Sequence, residues 1–479
     1  MGCESYMKDG IAVFVKYDCP TCLMVVPVLE KIQKTVEMKV FVQDYPEKFP
    51  SLMVDDDREL AESFDNNIEI VPTIVRIENG AEIERSVGWE RSSWERISQT
   101  RALGNALPSI RPGCGSLSVE AGIAERLAIK SGEVKFSSRK ITLGSLEDDI
   151  ELCFEKSWTD GLPVVPPTEE RVYRMLKGTG RKADEILGMM PPNNIACTVE
   201  KVAVNAVLAG CKAEYFPVVL GAVEAVLEPA FCLHGLIATT WFSGPMVIVN
   251  GKIRKTIGMN WKGNVLGQGN RANATIGRAL QLTVRNVGGG KPQEVDQSTF
   301  GSPLKFGFCF AEDESTPWTT LAEDRGFNRD KSTVTLFSAD GPIGCVDQNS
   351  RDPDSLVKSI AGSLKIVNHV GLANASDAVV VIGPEHGRVF DEAGWTKEQA
   401  VEALHQATKM SEVSDLKMTT LAAKLDDSKA RQNKSMINKF RKDGLTLIRA
   451  GGDAGLFSAI IPGWLMKGET GTEPITKEI

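Results

Sequence analysis

Apolar and polar positions in the first hundred residues fall into short runs that predict alternating strands and helices. Ile11 to Val15 (IAVFV) is an unbroken apolar run rich in β-branched residues, bounded by Gly10 and Lys16-Tyr17-Asp18, and predicts a buried strand. Leu23 to Val36 has apolar residues at helical spacing, and Lys39 to Gln43 (KVFVQ) predicts a second strand. Arg58 to Phe64 predicts a short helix, and Ile70 to Val75 leads into a third strand. Glu78-Asn79-Gly80-Ala81 is a hairpin turn signal, because Asn-Gly tolerates the left-handed conformations a tight turn needs, so Ile83 to Val87 is the returning strand. A helix closes the series. The expected order is βαβ, helix, ββ, helix.

Farther along, Leu107 to Ser118 (LPSIRPGCGSLS) is rich in Pro, Gly and Ser and predicts a linker or ordered loop. Ser157 to Thr168 (SWTDGLPVVPPT) is another turn-rich stretch. Val199 to Leu208 and Glu214 to Leu227 predict apolar helices, Met246 to Asn250 a strand closed by Gly251, and a further helix runs through Arg285. The last third alternates again, with strands at Thr333 to Phe337, Ala378 to Ile382 and Leu445 to Arg449 and a helix from Pro353 to His369. The mixed charges of Lys409 to Lys442 suggest solvated helices. The fold class expected is α/β: a domain at 1–105, a linker segment at 106–150, an α/β domain at 151–330 and a C-terminal α/β domain at 331–479.

Composition narrows the function classes. The chain has 479 residues, 42% hydrophobic and 25% charged, which excludes disorder over most of its length. A net charge of −8 without a long Lys/Arg run argues against nucleic acid as a partner. No basic region leads into an apolar core in Met1 to Gly10, and Tyr6 stands where a myristoylation motif wants Ser or Thr. The longest charge-free stretch, Pro229 to Gly251, is broken by Gly235, Ser243, Gly244 and Pro245, so a membrane span is not expected. The chain is expected to be soluble and cytoplasmic.

Ten cysteines are too few for a disulfide scaffold, and eight of them are scattered. Cys19-Pro20-Thr21-Cys22 is the close pair, set where a strand ends and a helix begins. Helix N-terminal amides stabilise an anion there, which lowers the thiol pKa and supplies the thiolate that attacks disulfides. Cys22, one turn along, is positioned to resolve a mixed disulfide. A structural pair of core cysteines is the bland alternative. Half of a zinc site is another, but no second pair at ligand spacing accompanies it.

The CPTC motif after a strand, Val71-Pro72-Thr73, the Glu78-Asn79-Gly80 hairpin and Ser86-Val87-Gly88-Trp89 together resemble the thioredoxin family across about residues 11 to 100. The resemblance implies a cis peptide at Pro72, with the residues before it docking an extended substrate by backbone pairing. It also implies that Gly88 lets a partner backbone approach. Two departures stand out. Asp-Cys-Pro-Thr-Cys replaces the family's Trp-Cys-Gly-Pro-Cys, and Val13 occupies the place of the family's buried acid, so the Cys22 proton must leave through Asp18 or water. The remainder resembles uncharacterised bacterial proteins sharing SWTDGLPVVPPT, NAVLAGC and GNRANATIGRA, a likeness that implies no activity.

Other candidates are weaker. Cys114, between Gly113 and Gly115 and near Arg111, is either an inconsequential loop thiol or an electron acceptor facing the CPTC pair at high effective concentration. Cys211, at a helix end, is a second candidate thiol. Gly267-Gln268-Gly269-Asn270-Arg271-Ala272 formally matches a dinucleotide fingerprint but lacks the preceding strand and the acid about 20 residues on. Gly267, Gly269, Asn270 and Arg271 are therefore read as an anion or carboxylate site, or as a structural loop. Cys232 and His234 read as neighbours on a strand, in ordinary core packing rather than Cys/His chemistry; Glu312 reads as part of a solvated face rather than a general base; and His386, following a strand, reads as a sheet-edge site residue or as a buried His beside a tight turn.

The expectation is a thiol–disulfide oxidoreductase domain delivering reducing equivalents to a fused α/β domain. Cys19 attacks, Cys22 resolves, Pro72 shapes the docking loop, and Cys114 or Cys211 accepts. No cofactor beyond the redox-active dithiol and no metal is expected. The partners are a small-molecule or disulfide substrate and an upstream thiol reductase; an oligomer is compatible. Two rivals are a lyase or hydrolase in the large domain whose thiols the first domain keeps reduced, and a peptide-binding or chaperone module.

Overall fold

A computed structural model describes residues 9–144, 147–368, 375–411, 436–464 and 471–479. The chain divides into two compact units, Met1–Lys135 and Phe136–Ile479. Most of the segment expected to link domains, residues 106–135, thus belongs to the first unit. Most of the stretch expected as solvated helices, residues 412–435, lies outside the described residues.

The first unit is built on a five-stranded sheet. Its strands are β1 (Gly10–Val15), β2 (Met38–Val42), β3 (Asp55–Asp56), β5 (Thr73–Glu78) and β6 (Ala81–Val87), with a short β4 (Ile70–Val71) just before β5. The order is β3-β2-β1-β5-β6, parallel from β3 to β1 and antiparallel from β1 to β6. The central strand is the one whose sequence is wholly apolar: Ile11 to Val15 are all buried. Asn79 and Gly80 both take positive φ, as the β5–β6 turn demands. Helices Pro20–Met24, Val26–Gln33, Ala61–Asp65 and Arg91–Ser98 cover the sheet, and Leu29, Ile32 and Trp94 join its core.

The Pro/Gly/Ser-rich stretch continues this fold. After β7 (Trp89–Glu90), the chain returns as β8 (Ile110–Arg111) on β7 and β9 (Cys114–Gly115) on β4. Trp89 Nε1 donates to Pro108 O at 2.7 Å, and Arg91 N–H donates to Ser109 O at 2.9 Å. Beyond β9, Gln43 Nε2 donates to Ser116 Oγ at 2.7 Å and Ser118 Oγ to Ile68 O at 2.9 Å. The segment is a strap fastened on both sides of Cys114.

The larger unit has two four-stranded sheets. A hairpin of β10 (Ile186–Met190) and β11 (Ile195–Thr198) precedes them. One sheet runs β13 (Cys309–Ala311), β12 (Gly244–Asn250), β14 (Thr333–Ala339), β21 (Ile475–Glu478). The other runs β15 (Ile343–Val346), β20 (Phe457–Pro462), β16 (Ser376–Ile382), β19 (Phe440–Arg449); β17 (Met410–Ser411) and β18 (Met436–Ile437) form a separate pair. Successive side chains on a strand point to opposite faces, and β16 uses both. Val379 and Val381 join Met246, Ile248 and Phe310 in a core between the sheets, while Val380 and Ile382 pack with Leu356, Ile360 and Leu404 of helices Pro353–Ile366 and Lys397–Ala407. Helices Phe216–Leu227 and Arg271–Gly288 lie on the far side of the first sheet. The class is α/β, with mixed sheets in four layers.

A domain boundary at 330/331 does not describe this unit. β14 and β21 follow that point yet complete the first sheet, and the two sheets share one core. Cys232 and His234 also differ from expectation: they stand at the start of the helix Leu233–Ala238, not on a strand, and His234 is exposed. No single helix among the described residues is long and apolar enough to cross a membrane.

Gly277, mid-helix in Arg271–Gly288, lets that helix touch the chain leading into β13. A Cβ there would lie 2.6 Å from Phe308 N. Helix propensity alone favours Gly277→Ala by about 1 kcal/mol. Overpacking against fixed backbone opposes it and wins, so the variant should lose about 1–3 kcal/mol net. Thermal and urea unfolding of the two proteins checks this, and an unchanged or raised midpoint refutes it.

Candidate functional site: three thiols beside Pro72

Cys19 is the N-cap of the helix Pro20–Met24, with Pro20 in its first turn. Its sulfur accepts from the Cys22 N–H at 3.3 Å and lies 3.6 Å from Val71 O. The Val71–Pro72 peptide is cis. Cys19 is 1% exposed and Cys22 is fully buried.

The third thiol arrives by strand pairing. β9 runs antiparallel to β4, with Cys114 opposite Val71 and Gly115 opposite Ile70. Thr21 Oγ1 donates to Pro112 O at 2.8 Å, fixing the strap two residues past Cys19. Two glycines permit the approach. A Cβ on Gly113 would stand 2.4 Å from Val71 O, and one on Gly88, whose φ is +75°, would stand 3.0 Å from both Arg111 O and Gly113 N. The backbone that approaches Gly88 is the chain's own. Cys114 is half-buried against the same core.

The three sulfurs polarise one another. Hydrogen bonding from the Cys22 thiol, then from the Cys114 thiol and the amides of Cys22 and Thr21, outweighs burial and lowers the Cys19 pKa to about 5. Burial, then hydrogen bonding to Cys19, raises that of Cys22 well above the ordinary thiol range. The same two causes raise Cys114. Cys19 is therefore the anion of the set, and the other two are proton-bearing donors. The helix start contributes through its amides, but the neighbouring thiols contribute more. Arg111, expected to favour a thiolate at Cys114, directs its Nη1 to Met24 Sδ at 3.7 Å.

The remaining candidates lie in the larger unit and are held by structural contacts. The Cys211 thiol donates to Thr275 O at 3.3 Å, and burial pushes its pKa up to about 12, the reverse of what a nucleophilic thiol needs. Asn270 caps the helix Arg271–Gly288 by accepting from Asn273 N–H, and its Nδ2 donates to Gly258 O at 2.8 Å. Arg271 Nε donates to Gly210 O at 3.0 Å, the C-cap of the helix Val199–Ala209. Gly267 packs on the Asn264 side chain, and Gly269 takes φ +114°. These four residues close a loop onto a helix start. His386 is buried between Ser458 Oγ at 2.8 Å and Asp347 O at 3.0 Å.

Sequence reasoning missed a buried acid. Glu312 is 2% exposed rather than on a solvated face; it accepts from Asn250 Nδ2 at 2.6 Å and Leu321 N–H at 2.7 Å. Burial pushes its pKa up to about 7. The acidic string AEDES reads as solvated, and nothing in it distinguishes Glu312, or Glu314, which pairs with the buried Arg254 at 2.8 Å, from the acids that face solvent.

No protein-family model, no curated protein and no solved structure matches this chain.

Titration of the Cys19 thiolate by its ultraviolet absorbance should show a midpoint near pH 5 in the reduced protein. Cys114→Ala removes one donor to the anion and should raise that midpoint, and Cys22→Ala, which removes the stronger donor, should raise it further. Gly113→Ala should undock the strap and speed Cys19 alkylation by iodoacetamide about tenfold or more, the protection a locally opened segment loses. An unchanged alkylation rate refutes the shielding.

Proposed function

We propose that the first unit is a thiol–disulfide oxidoreductase whose internal acceptor is Cys114, and that it delivers reducing equivalents to chemistry in the larger unit. The reading rests on the β4–β9 pairing, which sets Cys114 opposite Val71, the residue whose carbonyl lies 3.6 Å from the Cys19 sulfur. Support also comes from the likeness to the thioredoxin family, where an extended substrate pairs with the residue before the cis-proline. Here a segment of the same chain takes the substrate's part.

The exchange runs in three displacements. Cys114, the most exposed of the three thiols, attacks an incoming disulfide R–S–S–R; its proton passes to the departing half, which leaves as R–SH, and the other half stays as Cys114–S–S–R. The Cys19 thiolate attacks the Cys114 sulfur; that bond forms as the bond to R breaks, and the second thiolate leaves. Cys22 loses its proton to water, attacks Cys19 and frees Cys114 as a thiolate, which takes a proton from solvent. Two electrons pass from the dithiol to the substrate, and an upstream thiol reductase restores the pair.

The pKa ordering suits the second and third steps. A low-pKa Cys19 is ionised at neutral pH and is therefore ready to attack the Cys114 mixed disulfide. Once Cys19 is bonded to another sulfur its negative charge is gone, and with it two of the causes that hold the Cys22 proton. Tethering replaces a diffusional encounter by an intramolecular one. Occupation of the docking edge by residues 110–115 disfavours a peptide-binding or chaperone role, because a foreign extended chain needs the same Val71 backbone groups.

Mild diamide oxidation of full-length Cys22→Ser should trap a Cys19–Cys114 disulfide as the dominant product by peptide mass mapping. The further change Cys114→Ser should abolish it. Reduction of a small aromatic disulfide by the wild type should vanish in Cys19→Ser and fall about tenfold in Cys114→Ser, the loss of an intramolecular step. A Cys22→Ser protein that forms no Cys19–Cys114 bond overturns the relay.

A further inference from the structure

We propose that a cavity beside the helix Arg271–Gly288 binds a small organic monocarboxylate with an apolar body, and that Arg285 and Gln281 anchor its carboxylate. The cavity measures about 540 Å³ and lies wholly within the larger unit. That volume falls in the range of small-molecule sites, about 300–1,000 Å³. Leu236, Ile237, Val284 and Phe306 supply apolar wall.

Two polar residues of that wall lack partners. Gln281 Nε2 and Arg285 Nε are buried with no hydrogen-bond partner, and no hydrogen bond or ion pair to another described residue involves either side chain. They stand four residues apart, one above the other on a single helix face. Buried donors are nearly always satisfied; these two lie just beneath the surface of residues that line the cavity, where a ligand that accepts hydrogen bonds would supply the partner the protein does not.

Charge fixes the kind of acceptor. Asp160 in the same wall is held by Arg278 through two bonds of 2.8 Å. Asp296, also in the wall, is held by Lys305 at 2.6 Å. Each acid has its own cation, which leaves Arg285 as the surplus positive charge among the described lining residues. One unpaired guanidinium beside one amide N–H matches the two oxygens of a carboxylate, which a guanidinium binds as a fork. A dianion would bring a second charge with no cation to meet it, next to two carboxylates. This inference stands on a different unit and on different residues from the thiol relay, so either survives failure of the other.

The test uses the full-length protein and 3-phenylpropionate, with its primary amide and phenyl phosphate as comparators, read by isothermal titration calorimetry and thermal shift. The carboxylate should bind and raise the midpoint, and the isosteric amide should bind about tenfold more weakly or worse, as expected for loss of a charged hydrogen bond. Arg285→Gln should weaken the carboxylate by a similar factor without lowering the ligand-free midpoint, since it removes an unpartnered charge. Arg285→Lys, which keeps the charge and loses the fork, should fall between; together with Gln281→Leu it carries the test if Arg285→Gln fails to fold. Equal binding of acid and amide, tighter binding of phenyl phosphate, unchanged affinity in the Arg285 variants, or no binding across straight-chain carboxylates from acetate to decanoate overturns the proposal.

Discussion

One backbone pairing organises the chemistry of the first unit: Val71 against Cys114. The residue before Pro72 has free backbone groups at a sheet edge, and an unpaired edge is a standing invitation to another extended chain. Here the chain fills that edge with its own residues 110–115. The pairing is possible only because Gly88 and Gly113 lack side chains where the two backbones meet. Its consequences are linked. It brings a third sulfur to Cys19 and covers the CPTC pair, leaving Cys114 as the thiol nearest to solvent.

That arrangement also sorts three chemically identical groups. Each thiol has the same intrinsic acidity, yet only one of them can be the anion, because each proton retained on a neighbour stabilises the charge on the third. Position decides which. Cys19 has backbone amides at a helix start as well as two thiol donors, whereas Cys22 is enclosed by apolar residues of the sheet and helices. The electrostatic asymmetry is therefore a product of the fold rather than of a charged residue. This is why no lysine or arginine near CPTC in the sequence could have been used to foresee it.

Local signals were legible where one residue does one job. The apolar run Ile11 to Val15 became the central strand, Asn79-Gly80 the turn, and Cys19 the cap of a helix. Gly210 ends its helix in the left-handed region, and Asn270 begins another. Relations between distant residues were not legible. Residues 107–118 have neither a twofold nor a 3.6-residue period, because most of their anchoring comes from backbone groups and small hydroxyls, so composition reported a linker where there is a strap. The halves at 330/331 looked separable because sequence does not show that strands on both sides complete one sheet. Arg285 reads as one more helical arginine until it is known that Arg278 and Lys305 have taken the acids within reach.

The contrast between satisfied and unsatisfied groups separates the candidates better than residue type does. Arg271 and Arg285 lie on the same helix, and the glycine-rich setting made Arg271 the more attractive ligand anchor. Arg271 holds a carbonyl at the end of a neighbouring helix, and Asn270 beside it both caps and bridges, so the loop has its hydrogen bonds without a guest. Arg285 has none, and it borders a cavity large enough for a molecule. The cysteines divide by the same test. Cys211 donates its proton to Thr275 O in a dry site and is held neutral, while Cys114 lies on the strand paired with Val71, beside the sulfur that takes the charge. A thiol bonded to a carbonyl has no further chemistry imposed on it. A thiol beside a thiolate is tied to it, because the charge on one raises the cost of ionising the other.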